Sequence, residues 1–292
     1  MAKTATDLVT QTAEEDVDEA VIGHRRRPGV RFWLGAAGLI LAVLYAVVVP
    51  ILFHLDANAA DPMTVLHGPG PGHPFGTDDF GRDVMARVFV GSRLSLGMGC
   101  ALSVVTFLIG MPVGMIAAYA RWADAVIMRV IDALMSLPAI LLAIAFMAVL
   151  GPGLANVLIV LIVVWTPLTI RMARASVLEI LSQGYVEAAQ ALGAGLPSIF
   201  FRHVLRNAID PVLVQQTVAF AGAILGEATF SFIGAGLQPP GTSLGMILSE
   251  AQQNLYQAPW LAVFAACALV LLVLSAMLVS DGLRDVLAVK RD

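Results

Sequence analysis

From Leu34 to Phe53 the chain is continuously apolar, and no charge falls between Arg31 and His54. A bilayer core about 30 Å thick takes roughly 20 such residues as a helix, so this run predicts a first membrane span. A second uncharged run lies between Arg93 and Arg121. The third, from Asp132 to Arg171, is too long for one helix and is interrupted by Gly151-Pro152-Gly153. Glycine and proline punctuate helices, so the stretch reads as a hairpin of two spans, Val126 to Leu150 and Ala155 to Ala173. Pro211 to Ile233 makes a fifth span, carrying a single acid at Glu227, and Trp260 to Ser280 a sixth. The pattern is that of an all-α membrane protein with six transmembrane helices.

Three of these spans hold an internal proline, Pro112, Pro138 or Pro167, each of which removes a backbone hydrogen bond and kinks its helix. Gly110/Gly114 and Gly222/Gly226 have the spacing that lets two helices approach closely. Basic residues orient the spans, because cytoplasmic loops carry the excess of Lys and Arg. With the N-terminus inside, only Arg82, Arg87 and Arg93 fall outside, and both termini are cytoplasmic. Ala57-Asn58-Ala59 has the small residues of a signal-peptidase site. The preceding apolar run is longer than a signal core and follows a long tail, so it is taken as an uncleaved anchor.

Composition narrows the class. Hydrophobic residues make up 59% of the 292 and charged residues 13%, with mean hydropathy +0.85, whereas a soluble domain carries about 25% charged. The net charge of −4 offers no field for nucleic acid. Cys100 and Cys267 sit in apolar runs and are read as small hydrophobes. None of the five histidines falls inside a span, and no nucleophile–base spacing stands out, which argues against an enzyme. Neither Lys3 nor Lys290 follows the Gly-x-x-x-x-Gly pattern of a phosphate-cradling loop, so ATP has no binding loop here.

Chemistry concentrates in two loops and one span. The first external loop contains Gly68-Pro69-Gly70-Pro71-Gly72, which is irregular by composition, and then His73-Pro74-Phe75-Gly76-Thr77-Asp78-Asp79-Phe80-Gly81-Arg82-Asp83. His67, His73, Asp78 and Asp79 match no compact metal-ligand spacing. Glu227 is the acid well inside a span, and two readings stand side by side: a pathway-lining group or a structural hydrogen-bonder near the outer surface. Between spans four and five, Val186 to Leu192 favours a short helix of small residues ended by Gly193. Leu196 to Leu205 is amphipathic and suits either an interfacial helix or a protein contact.

Glu187-Ala188-Ala189 followed by Gly193 resembles the EAA motif of permease subunits in ATP-binding-cassette (ABC) importers. The run from Gly76, Thr77 and Asp78 to Gly81, Arg82 and Asp83 resembles the dipeptide, oligopeptide and nickel branch of that family. So do Gln238-Pro239-Pro240 and Asp281-Gly282-Leu283-Arg284-Asp285. The resemblance covers about residues 30 to 287 and implies a type I importer permease in the inner membrane. Its parts would be a cytoplasmic tail (1–31), an anchor helix (32–54), an external loop (55–92), a five-helix core (93–283) with a coupling loop (176–210), and a short tail (284–292). Glu187, Ala188, Ala189, Leu192 and Gly193 would couple to an ATPase. The implied partners are a second related permease chain, two ATPase subunits that bind ATP and magnesium, and an external substrate-binding protein. No cofactor is implied in this chain. Short peptides are the substrate class expected, with nickel or another metal complex as the alternative, and an ion-gradient transporter as the rival class. One departure stands out: the family's Ile-x-Leu-Pro is His203-Val204-Leu205-Arg206 here, which lets a helix run on toward Asn207.

Overall fold

The computed structural model describes residues 29–52, 56–193, 195 and 204–288. Regular structure among them is helical, apart from isolated bridges within the 60–83 loop. We number the helices α1 (Val30–Leu52), α2 (Val84–Tyr119), α3 (Arg121–Met135), α4 (Ala139–Leu150), α5 (Leu154–Leu181), α6 (Gly184–Ala191), α7 (Leu205–Phe232), α8 (Leu244–Gln253) and α9 (Pro259–Ala288). Five of these, α1, α2, α5, α7 and α9, are long and apolar enough to cross a membrane singly. Their flanks expose Leu34, Ile40, Leu108, Val263 and Val270. In water such a surface would drive aggregation; in lipid it is the ordinary outside of a helix bundle.

The third span is not one helix. α3 and α4 meet at an angle of 88°. Pro138 lacks the amide hydrogen that would continue α3, and it pushes Leu137 away from helical geometry. Pro112, Pro167 and Pro211 sit in α2, α5 and α7 without ending them. What differs at Pro138 is the segment before it: α3 carries Arg121, Asp124, Arg129 and Asp132, which do not belong in hydrocarbon. By length and composition the described residues hold five spans, or six where the broken pair is counted as one.

The bundle centres on α2, which packs along α5 and α7, while α9 packs along α1 and α7. Glycines set the closest approaches. A Cβ at Gly110 or Gly114 would run into Thr169 and Ala173 of α5, and one at Gly222 or Gly226 into Trp165 and Leu161. The two small-residue pairs therefore seat α2 and α7 on α5. Gly35 and Gly282 do the same between α1 and α9, Gly282 lying against Phe32. Mid-bundle, Gln216 of α7 bridges α2 and α5: its Oε1 accepts from Thr106 Oγ1 at 2.8 Å and its Nε2 donates to Thr169 Oγ1 at 3.2 Å. α9 continues to Ala288, past the residue 283 boundary expected for the core. The amphipathic helix expected over Leu196–Leu205 falls largely outside the described residues, as does the tail over 1–28. α7 begins at Leu205 and stays helical through Arg206 and Asn207.

Candidate functional site

The end of the bundle bearing the 56–83 loop is built around Asp78. Its Oδ1 accepts from the backbone N–H of Phe80 (2.8 Å) and of Arg82 (2.9 Å), and its Oδ2 from Arg82 Nε (2.7 Å) and Arg87 Nη1 (2.5 Å). Arg87, in the first turn of α2, is 0% exposed, and its guanidinium also donates to Glu250 of α8, at 2.9 Å from Nη2 to Oε1 and through a second bond from Nη1 to Oε2. Two arginines and two carboxylates thus lock loop, α2 and α8 together. Thr77 and Asp83 are likewise occupied. Thr77 donates to the Thr64 carbonyl, accepts from His67 N–H (2.9 Å), and offers its carbonyl to Trp260 Nε1 of α9 at 3.1 Å. Asp83 caps α2 through the Ala86 N–H (2.9 Å) and accepts from His73 Nδ1 at 2.8 Å.

Gly76 and Gly81 have φ of +75° and +72°. A side chain at Gly81 would also meet the Asp61 carbonyl, and one at Gly76 the His67 carbonyl and the Trp260 ring. Asp78, Asp79 and Glu250 bring one oxygen each within 4.8 Å of the others. Arg82 and Arg87 already share that space, and His67 and His73 turn elsewhere, His67 to the Gly68 carbonyl at 2.9 Å. The cluster is therefore a salt-bridge network in its chemistry. Burial, together with Glu250 and Asp78 nearby, pushes the Asp79 carboxyl above its ordinary range.

Glu227 lies within α7 and is fully buried. Its Oε2 accepts from Ser95 Oγ of α2 (3.2 Å) and its Oε1 from Ser231 Oγ (2.8 Å), and the hydroxyl of Ser243, which caps α8, adds to the polar surroundings that favour its charge. The carboxylate thus pins α2, α7 and the start of α8. An apolar groove of about 570 Å³ opens on the adjoining face of α7, lined by Leu137 and Pro138 at the bend, Trp165 of α5, and Gly226 and Thr229 of α7. Glu227 does not line it.

At the opposite end, α6 is a short helix whose Val186 is buried among Val177, Ile180, Val204 and Ala208. Asn207 Nδ2 donates to Tyr185 Oη at 3.1 Å, tying α6 to α7. Its other described surface is open: Ala188 and Gly193 are exposed and Leu192 is 89% exposed. Gly193 has φ +82°, and a Cβ added there would meet no atom within 4 Å, so glycine is required by conformation rather than by space.

Sequence reasoning singled out Gly76 to Asp83 but missed Arg87, Glu250 and Trp260. Only their positions in three dimensions connect them to the loop, across as many as 183 residues. The helix α8 was also unforeseen, although Ser243, whose Oγ accepts from Met246 N–H at 3.2 Å, is an ordinary N-cap signal.

Residues 110–290 match the protein family described as binding-protein-dependent transport system inner membrane component. The chain is 42% identical over 256 residues to a putative peptide transport system permease protein of Brucella suis biovar 1, covering 88% of this chain and 86% of that protein. It is 39% identical over 258 residues to a dipeptide transport system permease protein of Alkalihalophilus pseudofirmus, covering 87% and 85%. A glutathione transport system permease protein of Pectobacterium atrosepticum is 37% identical over 256 residues, covering 86% and 85%. Among solved structures, an inward-facing MetNI methionine ABC transporter shares the fold, with TM-score 0.56 and 25% identity over 70% of this chain and 97% of that one.

Proposed function

Because the chain belongs to the binding-protein-dependent transport system inner membrane components, we propose that it forms half of a peptide-import pathway driven by separate ATPase subunits. It is a multi-pass inner-membrane permease subunit of an ABC importer. The names of its relatives support short peptides as cargo, and its family supports work with ATPase and substrate-binding partners. The finer assembly proposed is two related permease chains, two ATPases on the inner side, which bind ATP and magnesium, and a binding protein on the outer side.

The distribution of Lys and Arg supports placing α6 and both termini inside and the 56–83 loop outside. With that orientation, the observation that carries the coupling role is the exposed surface of α6. It is a helix of small residues closed by a positive-φ glycine, held to the bundle on one side and open on the other. ATP-driven closure of the ATPases would displace α6 and, through Val186 and Asn207, the inner ends of α5 and α7.

The test uses the purified complex. Gly193→Val forces a β-branched residue into a conformation it rarely adopts, and Glu187→Lys reverses a charge at the proposed docking surface. Both variants insert, and ATPase binding or the coupling of ATP turnover to uptake falls sharply. If both assemble and transport peptide like the parent, α6 is a passive surface helix.

A further inference from the structure

We infer that α3 is an interfacial helix whose exposed face rests on anionic phospholipid headgroups at the inner membrane surface. The inference rests on the orientation proposed above. At 100° per residue, Arg121, Trp122, Val126, Arg129 and Val130 occupy one half of the helix, and all five are exposed, Trp122 at 77%. The other half holds the buried Ala123 and Ile131. Asp124, on this half, takes two bonds from Arg174 of α5, at 2.5 and 2.7 Å, and Asp132, at the edge of the exposed face, takes one from Arg171 at 2.7 Å.

Those ion pairs fix the height of α3. Arg171 and Arg174 stand 17 and 20 residues along α5 from Leu154, which is about 26 and 30 Å at 1.5 Å per residue. That is the thickness of the hydrocarbon core, so α3 is held at its inner boundary. The 88° turn into α4 then lays α3 across the end of the bundle instead of through the membrane. Charge points to the occupant. Asp124 and Asp132 are neutralised within the chain, whereas Arg121 and Arg129 form no ion pair among the described residues. These two cations beside a tryptophan and two valines make a surface with phosphate-seeking and apolar halves. Tryptophan settles at headgroup level, and each cation near an anionic leaflet contributes on the order of 1 kcal/mol. Leu134 and Met135, at the end of this helix, also line the apolar groove, so the groove's inner wall would be anchored to the lipid surface.

The complete transporter, with Cys100 and Cys267 replaced by alanine, is reconstituted in nanodiscs with a fluorophore at Val126→Cys or Val130→Cys. Both sites are exposed, so the substitutions leave the core intact. The expected result is quenching several times stronger by a lipid spin-labelled at its headgroup than by one labelled at its chain end or by aqueous iodide. Dominant quenching by iodide, or none by any reagent because a protein partner covers the face, overturns the assignment. In a second arm, Arg121→Gln with Arg129→Gln should lower the preference for phosphatidylglycerol over phosphatidylcholine by about five-fold per arginine. An unchanged preference contradicts the role of the cations. Reaction of Arg121→Cys with an impermeant maleimide from the outer side would instead overturn the orientation, and the inference with it.

Discussion

The Asp78 carboxylate, at the end of the bundle that bears the 56–83 loop, accepts four hydrogen bonds from its own chain, whereas Ala188, Leu192 and Gly193 at the opposite end are exposed. Both regions hold glycine at positive φ, and both carry the motifs that stand out in the sequence. Their polar and apolar groups are disposed in opposite ways. At the loop end, Thr77, Asp78, Arg82 and Asp83 find their partners within the chain, and Arg87 and Glu250 extend the network into two helices. At the other end, a helix too short to be stable alone is held, among the described residues, by the buried Val186 and the Asn207–Tyr185 hydrogen bond, while Ala188, Leu192 and Gly193 are exposed. The difference teaches that a motif in this chain marks either a closed scaffold or an unfinished interface. Burial, not residue type, distinguishes them.

The comparison breaks most readily at Arg87. Arg87→Met removes the fully buried one of the two cations that Asp78 and Glu250 share, leaving only Arg82, and losing one member of such a network costs about 3–5 kcal/mol. The expected outcome is a large drop in melting temperature and yield of the purified complex; an unchanged melting curve would show that the outer cluster is not a scaffold. Gly81→Val ranks next. The backbone conformation alone costs roughly 1–3 kcal/mol for a non-glycine, and the Asp61 carbonyl blocks the side chain. Gly193→Val has the same backbone penalty without the clash, so the complex should lose less stability than with Gly81→Val while uptake per ATP falls at least several-fold. A pair of variants so alike in φ and so different in outcome sharpens the contrast between the two ends.

Smaller effects follow. Glu227→Gln keeps one acceptor for the three serines and should lower complex stability by about 1 kcal/mol, with the uptake rate per assembled complex unchanged. Impaired uptake in a normally stable complex would give Glu227 the pathway role instead. The smallest effect belongs to Asp79, whose ionised form the fold disfavours. Its raised pKa means that the ionisation penalty is present at neutral pH and lost as pH falls through the folded-state value toward the ordinary carboxylate range. Asp79→Asn should therefore raise the melting temperature slightly at neutral pH, and the gain should vanish in acid.

The spans were legible because the bilayer imposes one rule on every residue between Leu34 and Phe53, or Trp260 and Ser280. The hairpin break at Gly151-Pro152-Gly153 followed from the same reasoning, and Gly193 as a helix end from its type and place. The bend at Pro138 was not legible as a break, since Pro112 and Pro167 look alike in sequence and leave their helices whole. What separates them is the charge on α3, whose Asp124 and Asp132 bind to Arg174 and Arg171 some 40 to 50 residues away. The outer motif was visible, but its meaning was not. Arg87 and Glu250 are 163 residues apart, and nothing local to either predicts their meeting. Glu227 could be located to a span but not to a face, and only the three serines decide which way it turns.

The central claim, that the inner segment is an interface awaiting an ATPase, is tested most directly by the reactivity of one residue. Leu192→Cys, in a chain with Cys100 and Cys267 replaced by alanine, is labelled with a maleimide in the permease alone and again after the ATPase subunits are added. The account predicts rapid labelling of the lone permease and strong protection in the complex, with a cysteine at the outer-loop residue Gly72 labelled equally in both. Equal labelling of Leu192→Cys with and without the ATPases would contradict it.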